Sequence, residues 1–426
     1  MARVKGIELT KQQYFTFLGR TAFKRKEGDR TLAQIIDETI VRLEARKREI
    51  EVTQEQIDRR VDTFRERVAE RSNGEESFDA YLAKEGISLA DLESLLQLVI
   101  AQEELVRQHL SLSIGDEIPA REMNLWLTAM RKDKEYEPKT LASPEGDARD
   151  IIAWVADTPI TFEMLGAKLY QVLEGAEKSG RLRELANLTL LFQLGLENGV
   201  EVTEEDLDQE VTKRRELLAG NEQLAGISYE EFLSAQGLTL DDVRNSRRVR
   251  AGILLDKIID ETYPPDQLET VYQQRKEELD RTYGLKRRAS MILLQAGAYP
   301  NALRKRSLEE ARLELEAMRE RIRQGTRFDY LARTYSEHAT KERGGDLGLF
   351  TIEDPNIPKA LRDAAFRLAK DEVSAPIQLP QGYALVMVTD IEDNPTFESL
   401  REAVRNHLKR EWFAEQVQSA RIEFAF

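Results

Sequence analysis

The stretch Tyr335-Ser-Glu-His-Ala-Thr-Lys-Glu-Arg-Gly-Gly-Asp-Leu-Gly-Leu-Phe350 decides the fold of the C-terminal part of this chain. The preceding segment, Phe328–Tyr335, has apolar residues at helical spacing and predicts a helix that runs into the stretch. At its centre, Gly344 and Gly345 allow a sharp turn, because glycine adopts positive φ at little cost. The apolar residues after the glycines alternate as in a β-strand. The stretch therefore predicts a helix, a turn and a strand in that order.

The segments on either side extend this pattern. Upstream, Ala289–Leu294 is typical of a short apolar strand, and a helix is predicted to begin near Ser307. Downstream, a helix is predicted over Ala360–Leu368 and a strand over Gly382–Val388. The predicted order is strand, helix, helix, turn, strand, helix, strand.

Five motifs accompany these elements in a fixed order. They are Ala289-Ser-x-Ile-Leu, Phe328-x-x-Leu-Ala-x-x-Tyr-Ser, Gly344-Gly-Asp-Leu-Gly, Ala364-Ala-Phe366 and Ser374-x-Pro376. They cover roughly residues 286–392, and this region resembles the parvulin family of peptidyl-prolyl isomerases. The resemblance implies a small α+β domain that binds proline-containing polypeptide.

The composition of the 426-residue chain limits its partners. Charged residues make up 33% of the sequence and the net charge is −15, so nucleic acid and anionic membrane surfaces are unfavourable partners. No apolar run approaches the roughly 18 residues of a membrane-spanning helix, so we expect no transmembrane segment. The chain has no cysteine and no metal-ligand spacing, phosphate-binding loop or nucleophile triad, so we expect no cofactor and no metal.

The sequence leaves the cellular location open. The N-terminus lacks the hydrophobic region of a signal peptide. We therefore expect either a periplasmic or other extracytoplasmic protein whose export signal has been removed, or a cytoplasmic protein.

The first 283 residues contain an internal repeat. Three blocks recur at offsets of 150 or 151 residues: Glu51–Asp58 with Glu201–Asp208, Ser77–Leu82 with Ser228–Leu233, and Gly86–Leu92 with Gly237–Val243. Blocks of this kind carry helix-capping signals, such as Thr53 with Gln56 and Thr203 with Asp206. The recurrence predicts two copies of one helical module.

Each module opens with a short strand and a helix capped by Thr10 or Thr161. In this it is similar to the helical N-terminal domain of SurA-type and PrsA-type folding factors, which bind unfolded chains. The family usually has Asn-Gly in the first turn, where this chain has Lys5-Gly6 and, in the second module, Asp157-Thr158. The predicted domains are a helical module at 1–134, a linker at 135–149, a second helical module at 150–283, a parvulin-like domain at 284–393, and a C-terminal helix at 394–426 that packs on a helical module.

The parvulin resemblance also implies a set of substrate-binding residues. In that family three apolar side chains hold the proline ring, and the matching positions are Leu347, Ile357 and Leu361. Phe350 and Phe366 are expected beneath them. All five are also typical of an ordinary apolar core.

The polar positions of the family site are mostly substituted. Met291 and Ala384 occupy the positions of two histidines, and Gln381 replaces a Ser or Thr. His338 occupies the position of a Cys or Asp and is either a substrate contact or a surface loop residue. Because Met291 and Ala384 lack the hydrogen-bonding groups of histidine, we expect prolyl isomerase activity to be weak or absent.

The sequence thus predicts a mainly helical multidomain protein with one α+β parvulin-like domain, acting as a folding factor. It is expected to bind unfolded or extended polypeptides through a helical cradle and proline-containing segments through the parvulin-like domain. Two alternatives remain: an active peptidyl-prolyl isomerase that tolerates the lost histidines, and a scaffold that docks one folded partner.

Overall fold

The computed structural model of the chain describes residues 2–424 except 74, 114–117, 141–149, 222–223, 225, 298–304 and 394. The chain divides into two compact units, Met1–Ile258 with Ala414–Phe426, and Ile259–Phe413. Most elements are helices, and the larger strands lie between residues 286 and 392. The prediction of a mainly helical multidomain protein with one α+β region is confirmed. None of the helices in the described residues is long and apolar enough to cross a bilayer.

Residues 2–262 form helices joined to two small sheets. The helices are α1 (Lys11–Ala22), α2 (Lys26–Lys47), α3 (Gln54–Arg71), α4 (Phe78–Glu85), α5 (Leu89–Leu110), α6 (Ala120–Met130), α7 (Phe162–Val172), α8 (Gly175–Glu197), α9 (Glu204–Ala219), α10 (Tyr229–Ala235), α11 (Leu240–Asn245) and α12 (Arg247–Thr262). The strands are β1 (Ala2–Val4), β2 (Ile7–Leu9), β3 (Lys139–Thr140), β4 (Ile151–Val155) and β5 (Thr158–Thr161).

Several helices of this region begin at residues whose side chains cap the helix N-terminus. Thr10 caps α1 and Thr161 caps α7 through their side chains. Complete capping boxes open α3, α5, α9 and α11, formed by Thr53 with Gln56, Ser88 with Asp91, Thr203 with Asp206, and Thr239 with Asp242. The helix starts predicted at Thr10, Thr53, Thr161 and Thr203 are confirmed.

Two three-stranded antiparallel sheets accompany the helices of the first unit. One has the order β10-β1-β2, where β10 is Glu423–Phe424, the strand that follows the predicted C-terminal helix. The other has the order β3-β4-β5. Within the predicted linker, Tyr136 is buried and residues 139–140 pair with β4, while residues 141–149 lie outside the described residues.

Residues 263–424 supply the remaining elements. They are α13 (Leu268–Gln274), α14 (Lys276–Leu279), a π-helical turn (Asp280–Gly284), β6 (Lys286–Gln295), α15 (Leu308–Arg323), α16 (Phe328–Tyr335), a 3-10 helix (Ala339–Arg343), β7 (Asp346–Thr351), α17 (Lys359–Ala365), β8 (Ile377–Leu379), β9 (Gly382–Glu392), α18 (Phe397–Ser419) and β10. The predicted order of elements is confirmed, with β8 as an addition that the sequence pattern did not predict.

The long strands of this region form a four-stranded antiparallel sheet of order β7-β6-β9-β8. Side chains alternate between the two faces of a strand. Ile292 and Leu385 pack on one face with Leu315 of α15 and Leu331 of α16. The opposite face carries a second apolar cluster, described below.

The C-terminal helix α18 has its own packing partners in the second unit. Phe397, Leu400 and Val404 are buried in one cluster with Leu268 and Tyr272 of α13. This cluster is separate from the clusters on the two faces of the sheet. The domain boundaries given above remain a prediction.

Candidate functional site

The second face of the sheet brings together the positions of the two family histidines. Met291 lies opposite Val386 across β6 and β9, and Leu293 lies opposite Ala384. Paired residues of antiparallel strands point to the same face. Met291 is 3% exposed and Ala384 is fully buried, so both side chains are in the core of this face.

Seven of the nine predicted site residues belong to one apolar cluster on that face. They are Met291, Leu347, Phe350, Ile357, Leu361, Phe366 and Ala384. Leu361 is only 1% exposed, whereas Leu347, Ile357 and Phe366 are partly exposed. Leu347, Ile357 and Phe366 are therefore accessible from solvent, whereas Leu361, one of the three predicted ring-holding residues, is buried in the cluster.

The Gly-Gly turn fixes β7 beside β6. Gly344 (φ 70°) ends the 3-10 helix, and Gly345 (φ 85°) follows it. The Met291 amide donates a hydrogen bond to the Gly345 carbonyl at 2.9 Å. A β-carbon at Gly345 would overlap the Met291 carbonyl, so only glycine allows this close approach of the two chains. The turn therefore sets where Leu347 enters the cluster.

His338 lies at the start of the 3-10 helix. Its Nδ1 accepts hydrogen bonds from the Thr340 hydroxyl at 2.9 Å and the Thr340 amide at 3.3 Å. Burial lowers the pKa of the His338 imidazole. The neutral ring with Nδ1 as acceptor carries its proton on Nε2. In this structure His338 acts as a helix cap.

Gln381 lies in the turn that joins β8 to β9. Its carbonyl accepts a hydrogen bond from the Ala296 amide at 3.0 Å. The next residue, Gly382, has φ 147° and lies so close to β6 that a β-carbon would overlap the Leu294 carbonyl. The described contact of Gln381 is thus a backbone contact that holds the hairpin against β6.

Charged side chains that were not predicted as site residues lie along the edge of the cluster. Arg287 stacks over the Phe366 ring at 4.8 Å and pairs with Asp393. Arg288 pairs with Asp346 at 2.7 Å, and this hydrogen bond lowers the pKa of the Asp346 carboxyl. The Gly-Gly-Asp motif was the available signal for Asp346. The stacking of Arg287 on a residue 79 positions away had no sequence signal (366 − 287 = 79).

Ser374 of the Ser-x-Pro motif has a local structural role. The Ser374 hydroxyl accepts a hydrogen bond from the Val386 amide at 3.0 Å, and its own amide donates to the Val386 carbonyl at 2.8 Å. Ser374 is buried. This residue therefore satisfies two backbone groups of β9 next to β8.

A cleft of about 500 Å³ runs beside β7. Its lining includes Tyr283, Lys286, Leu349, Phe350 and Pro355. Of the nine predicted site residues, Phe350 is the one that lines it. The predicted ring-holding residues Leu347, Ile357 and Leu361 do not line this cleft.

The chemistry that this site offers is apolar. Met291 and Ala384 pack among apolar side chains such as Leu293, Val386 and Val388. This cluster can bury an apolar ring, since such binding depends on shape and exclusion of water. It supplies no proton donor or acceptor at the two histidine positions.

A different group of titratable side chains lies beside α18. Glu278, His407 and Glu411 have ligand-type atoms within 4.8 Å of one another. The Arg275 guanidinium lies among them, bonding Glu411 at 2.6 and 2.9 Å, Glu278 at 2.8 Å and His407 Nε2 at 3.0 Å. Arginine occupies the place that a cation would take, so we interpret the group as an ion-pair network that fixes α18.

Comparison with known proteins finds a family model that is similar to the region of the sheet. Residues 292–390 match the family model described as "Rotamase: PPIC-type PPIASE domain". The chain is 40% identical over 92 residues to "Foldase protein PrsA 1" of Bacillus cereus, covering 21% of this chain and 32% of that protein. It is 36% identical over 119 residues to "Chaperone SurA" of Thiobacillus denitrificans, covering 26% of each chain.

A longer match covers part of the helical region as well. The chain is 26% identical over 254 residues to "Foldase protein PrsA" of Halalkalibacterium halodurans, covering 58% of this chain and 68% of that protein. The first two matches span only about a third and a quarter of the relatives' own length.

Proposed function

We propose that this chain, a relative of the PrsA and SurA foldases with a PpiC-type parvulin domain, is a folding factor that binds unfolded or extended polypeptide and isomerises prolyl bonds weakly or not at all. It would act on proline-containing segments through the apolar cluster and on other segments through its helical region. By the same resemblance we place its activity outside the cytoplasm.

The proposed low isomerase activity is supported by the burial of Met291 and Ala384 in an apolar cluster. Prolyl isomerisation crosses a barrier of about 18–20 kcal/mol, because the amide has partial double-bond character. Catalysis requires groups that stabilise the twisted amide better than the planar one. A thioether and a methyl group offer no such hydrogen bond at the positions where the family has histidines.

Binding of a proline ring has separate requirements. Leu347, Ile357 and Leu361 are the residues proposed to hold the ring, with Phe350 and Phe366 beside them in the same apolar cluster. This cluster needs no hydrogen bond to bury a ring. Binding should therefore persist where turnover is lost.

The helical region supports a role in binding extended chains. Several of its large apolar side chains are exposed, among them Leu95, Leu125, Val172 and Leu196. The two predicted modules at 1–134 and 150–283 would be copies of one unit, and the shared caps of α3 and α9 support this. An extended polypeptide can contact several such apolar side chains at once, so that individually weak contacts add up to stable binding.

Aggregation of chemically unfolded client proteins tests this function. Two unrelated proteins are diluted from denaturant with and without the chain, and light scattering is followed. The proposal predicts suppressed aggregation of both clients at near-stoichiometric concentrations, with serum albumin as a control. Failure to suppress either client, together with tight binding to one native protein, would support the scaffold alternative instead.

A further inference from the structure

Ile357 is the member of the predicted ring-holding set that lies on a loop. Leu347 belongs to β7 and Leu361 to α17, whereas Ile357 lies in the segment 352–358 that joins these two elements. Its side chain is half-buried and packs against the apolar cluster. Side chains on loops are held less firmly than side chains on helices or strands. The loop therefore needs contacts of its own to keep Ile357 in place.

Two prolines restrict the backbone of this loop. Pro355 and Pro358 have φ confined by their rings, and the residue before a proline is confined to extended conformations. These restrictions cover Asp354 and Ile357 as well as the prolines themselves. The Asn356 amide also donates a hydrogen bond to the Asp354 carboxylate at 2.9 Å. The loop is therefore a stiff piece of backbone, and its attachment to the rest of the domain decides where Ile357 lies.

Arg362 of α17 attaches the loop to the helix. Its Nη1 donates hydrogen bonds to two loop carbonyls, that of Asp354 and that of Ile357, the second at 3.1 Å. In the first turn of α17, the amides of Leu361 and Arg362 both donate to the Pro358 carbonyl. The Ile357 carbonyl, one residue earlier, receives the Arg362 side chain instead. One guanidinium nitrogen therefore ties two points of the loop to the helix.

The same helix also supplies the buried member of the set. Leu361 is 1% exposed and belongs to the apolar cluster. Successive side chains of a helix point about 100° apart, so α17 directs Leu361 into the cluster and Arg362 toward the loop. The Nε atom of Arg362 is buried, and among the described residues it has no hydrogen-bond partner. Because a buried unpaired N–H is unfavourable, this inward orientation indicates that the two Nη1 bonds outweigh that cost.

We propose that Arg362 is a positioning residue of the proline-binding site and gives the site its selectivity for proline. A loop held by Arg362 keeps Ile357 at a fixed position relative to Leu347 and Leu361, so the three side chains fit a compact, rigid ring. A released loop still offers apolar area, but it lacks the fixed shape that distinguishes proline from alanine. The inference rests on the proposed function, in which these three side chains hold the ring.

NMR of the isoleucine δ1-methyl groups in the full chain measures selectivity at this site. Two peptides that differ only in having Pro or Ala at one central position are titrated into the protein. The Ile357 signal, assigned by its absence from Ile357→Val, is followed, so that the dissociation constants belong to this site. We expect the parent to bind the Pro peptide about tenfold more tightly, since the ring buries two more methylene groups than Ala.

Substitutions of Arg362 isolate the contribution of its hydrogen bonds. Arg362→Met keeps an unbranched stem without a donor, and Arg362→Gln places its amide nitrogen at the position of Nε, short of the loop carbonyls. For both we expect the Pro preference to fall to about twofold or less, because a mobile Ile357 buries the extra methylene groups incompletely. Arg362→Lys keeps a cationic donor that reaches farther than the Gln amide, so its preference should lie between those of the Gln variant and the parent.

The matched control is Arg367→Met. It removes an arginine from an exposed position just beyond α17, and we expect it to keep the parent's preference. Thermal unfolding shows which variants are folded. A general loss of stability would weaken the binding of both peptides equally and leave their ratio unchanged, so the ratio separates a positioning role from a merely structural one.

The outcomes distinguish the inference from the proposed function. A folded Met or Gln variant that keeps the parent's preference would overturn the role of Arg362 and leave the proposed function standing. Loss of the preference in Arg367→Met would do the same, because it would attribute the effect to charge. If neither the Met nor the Gln variant folds, a Lys variant with the full preference of the parent would overturn the inference. A parent that binds neither peptide, or binds both equally, would overturn the proposed proline site and the inference together.

Discussion

Phe15 of α1 and Gly166 of α7 are in direct backbone contact. A β-carbon at Gly166 would overlap the Phe15 carbonyl and would lie 2.9 Å from the Gly19 amide nitrogen. Gly19 in turn lies against the Phe162 carbonyl in the same manner. Phe15 and Gly166 are separated by 166 − 15 = 151 residues, the offset of the repeated sequence blocks. Gln12 and Glu163, also 151 residues apart, share a hydrogen bond at 3.0 Å.

This crossing predicts that Gly166→Ala destabilises the first unit. The neighbour is backbone, which cannot rotate away as a side chain can, so the cost should lie near the upper end of overpacking effects, about 3 kcal/mol. The matched control is Gly252→Ala in α12, where an added β-carbon meets nothing within 4 Å. The control should stabilise its helix by about 0.5–1 kcal/mol. Thermal unfolding of both variants checks the pair, and equal stability of the two would refute the described crossing.

The cap formed by His338 predicts a dependence of stability on pH. Burial lowers the pKa of His338 in the folded state, so the unfolded chain binds the proton more readily. Stability should therefore fall as the pH drops below about 6.5, the ordinary histidine value, and level off below the folded pKa. Asn at this position retains a cap to the Thr340 amide without titrating.

Urea unfolding of the parent and of His338→Asn at pH 7.5 and 5.5 measures this contribution. Every other titrating group is present in both proteins, so the comparison isolates His338. We expect the parent to lose more stability than the variant on acidification. An equal loss in the two proteins would show that the His338 ring does not titrate between these states.

The separate cluster of α18 predicts that the parvulin-like domain folds without this helix. Phe397, Leu400 and Val404 pack on Leu268 and Tyr272, whereas the two faces of the sheet are covered by residues 289–391. A fragment of residues 284–393 should therefore unfold cooperatively on its own. Deletion of 397–426 from the full chain should destabilise the part containing α13, because each large buried side chain contributes about 1.5–3 kcal/mol. A fragment that is unfolded until the helix is added would refute this division.

Local signals carried most of what the sequence predicted correctly. The caps of α3, α5, α9 and α11 depend on two residues three positions apart, so the sequence alone contains the whole interaction. The Gly344-Gly345 turn and the strand after it are local for the same reason. The grouping of Met291, Ala384 and Leu347 in one cluster was available only through the family resemblance.

Features that depend on distant contacts escaped prediction. Strand β8 has three residues and exists through its pairing with β9, and β3 has two and depends on β4. The crossing of α1 and α7 had a weak signal in the sequence, namely a glycine inside each helix, Gly19 and Gly166. Because glycine destabilises a helix interior by about 1 kcal/mol relative to alanine, its presence there indicates close packing. Arg287 contacts Phe366 through the fold of the sheet, and no spacing in the sequence indicates that contact.

Exchange NMR on a proline tetrapeptide tests the central claim, because one experiment reports both binding and cis–trans exchange. The account predicts shifts of the peptide signals on binding, and exchange at least about 100-fold slower than that of a parvulin with both histidines, since losing one preorganised donor costs about 2.7–4 kcal/mol in a transition state. The double variant Met291→His with Ala384→His should raise the exchange rate at nearly constant affinity. The unfolding midpoint of this variant checks that the buried sites accept the larger histidine rings. Leu347→Asp should weaken binding. Exchange by the parent as fast as that of active parvulins, abolished by Leu347→Asp, would contradict the account, as would a parent that binds no peptide.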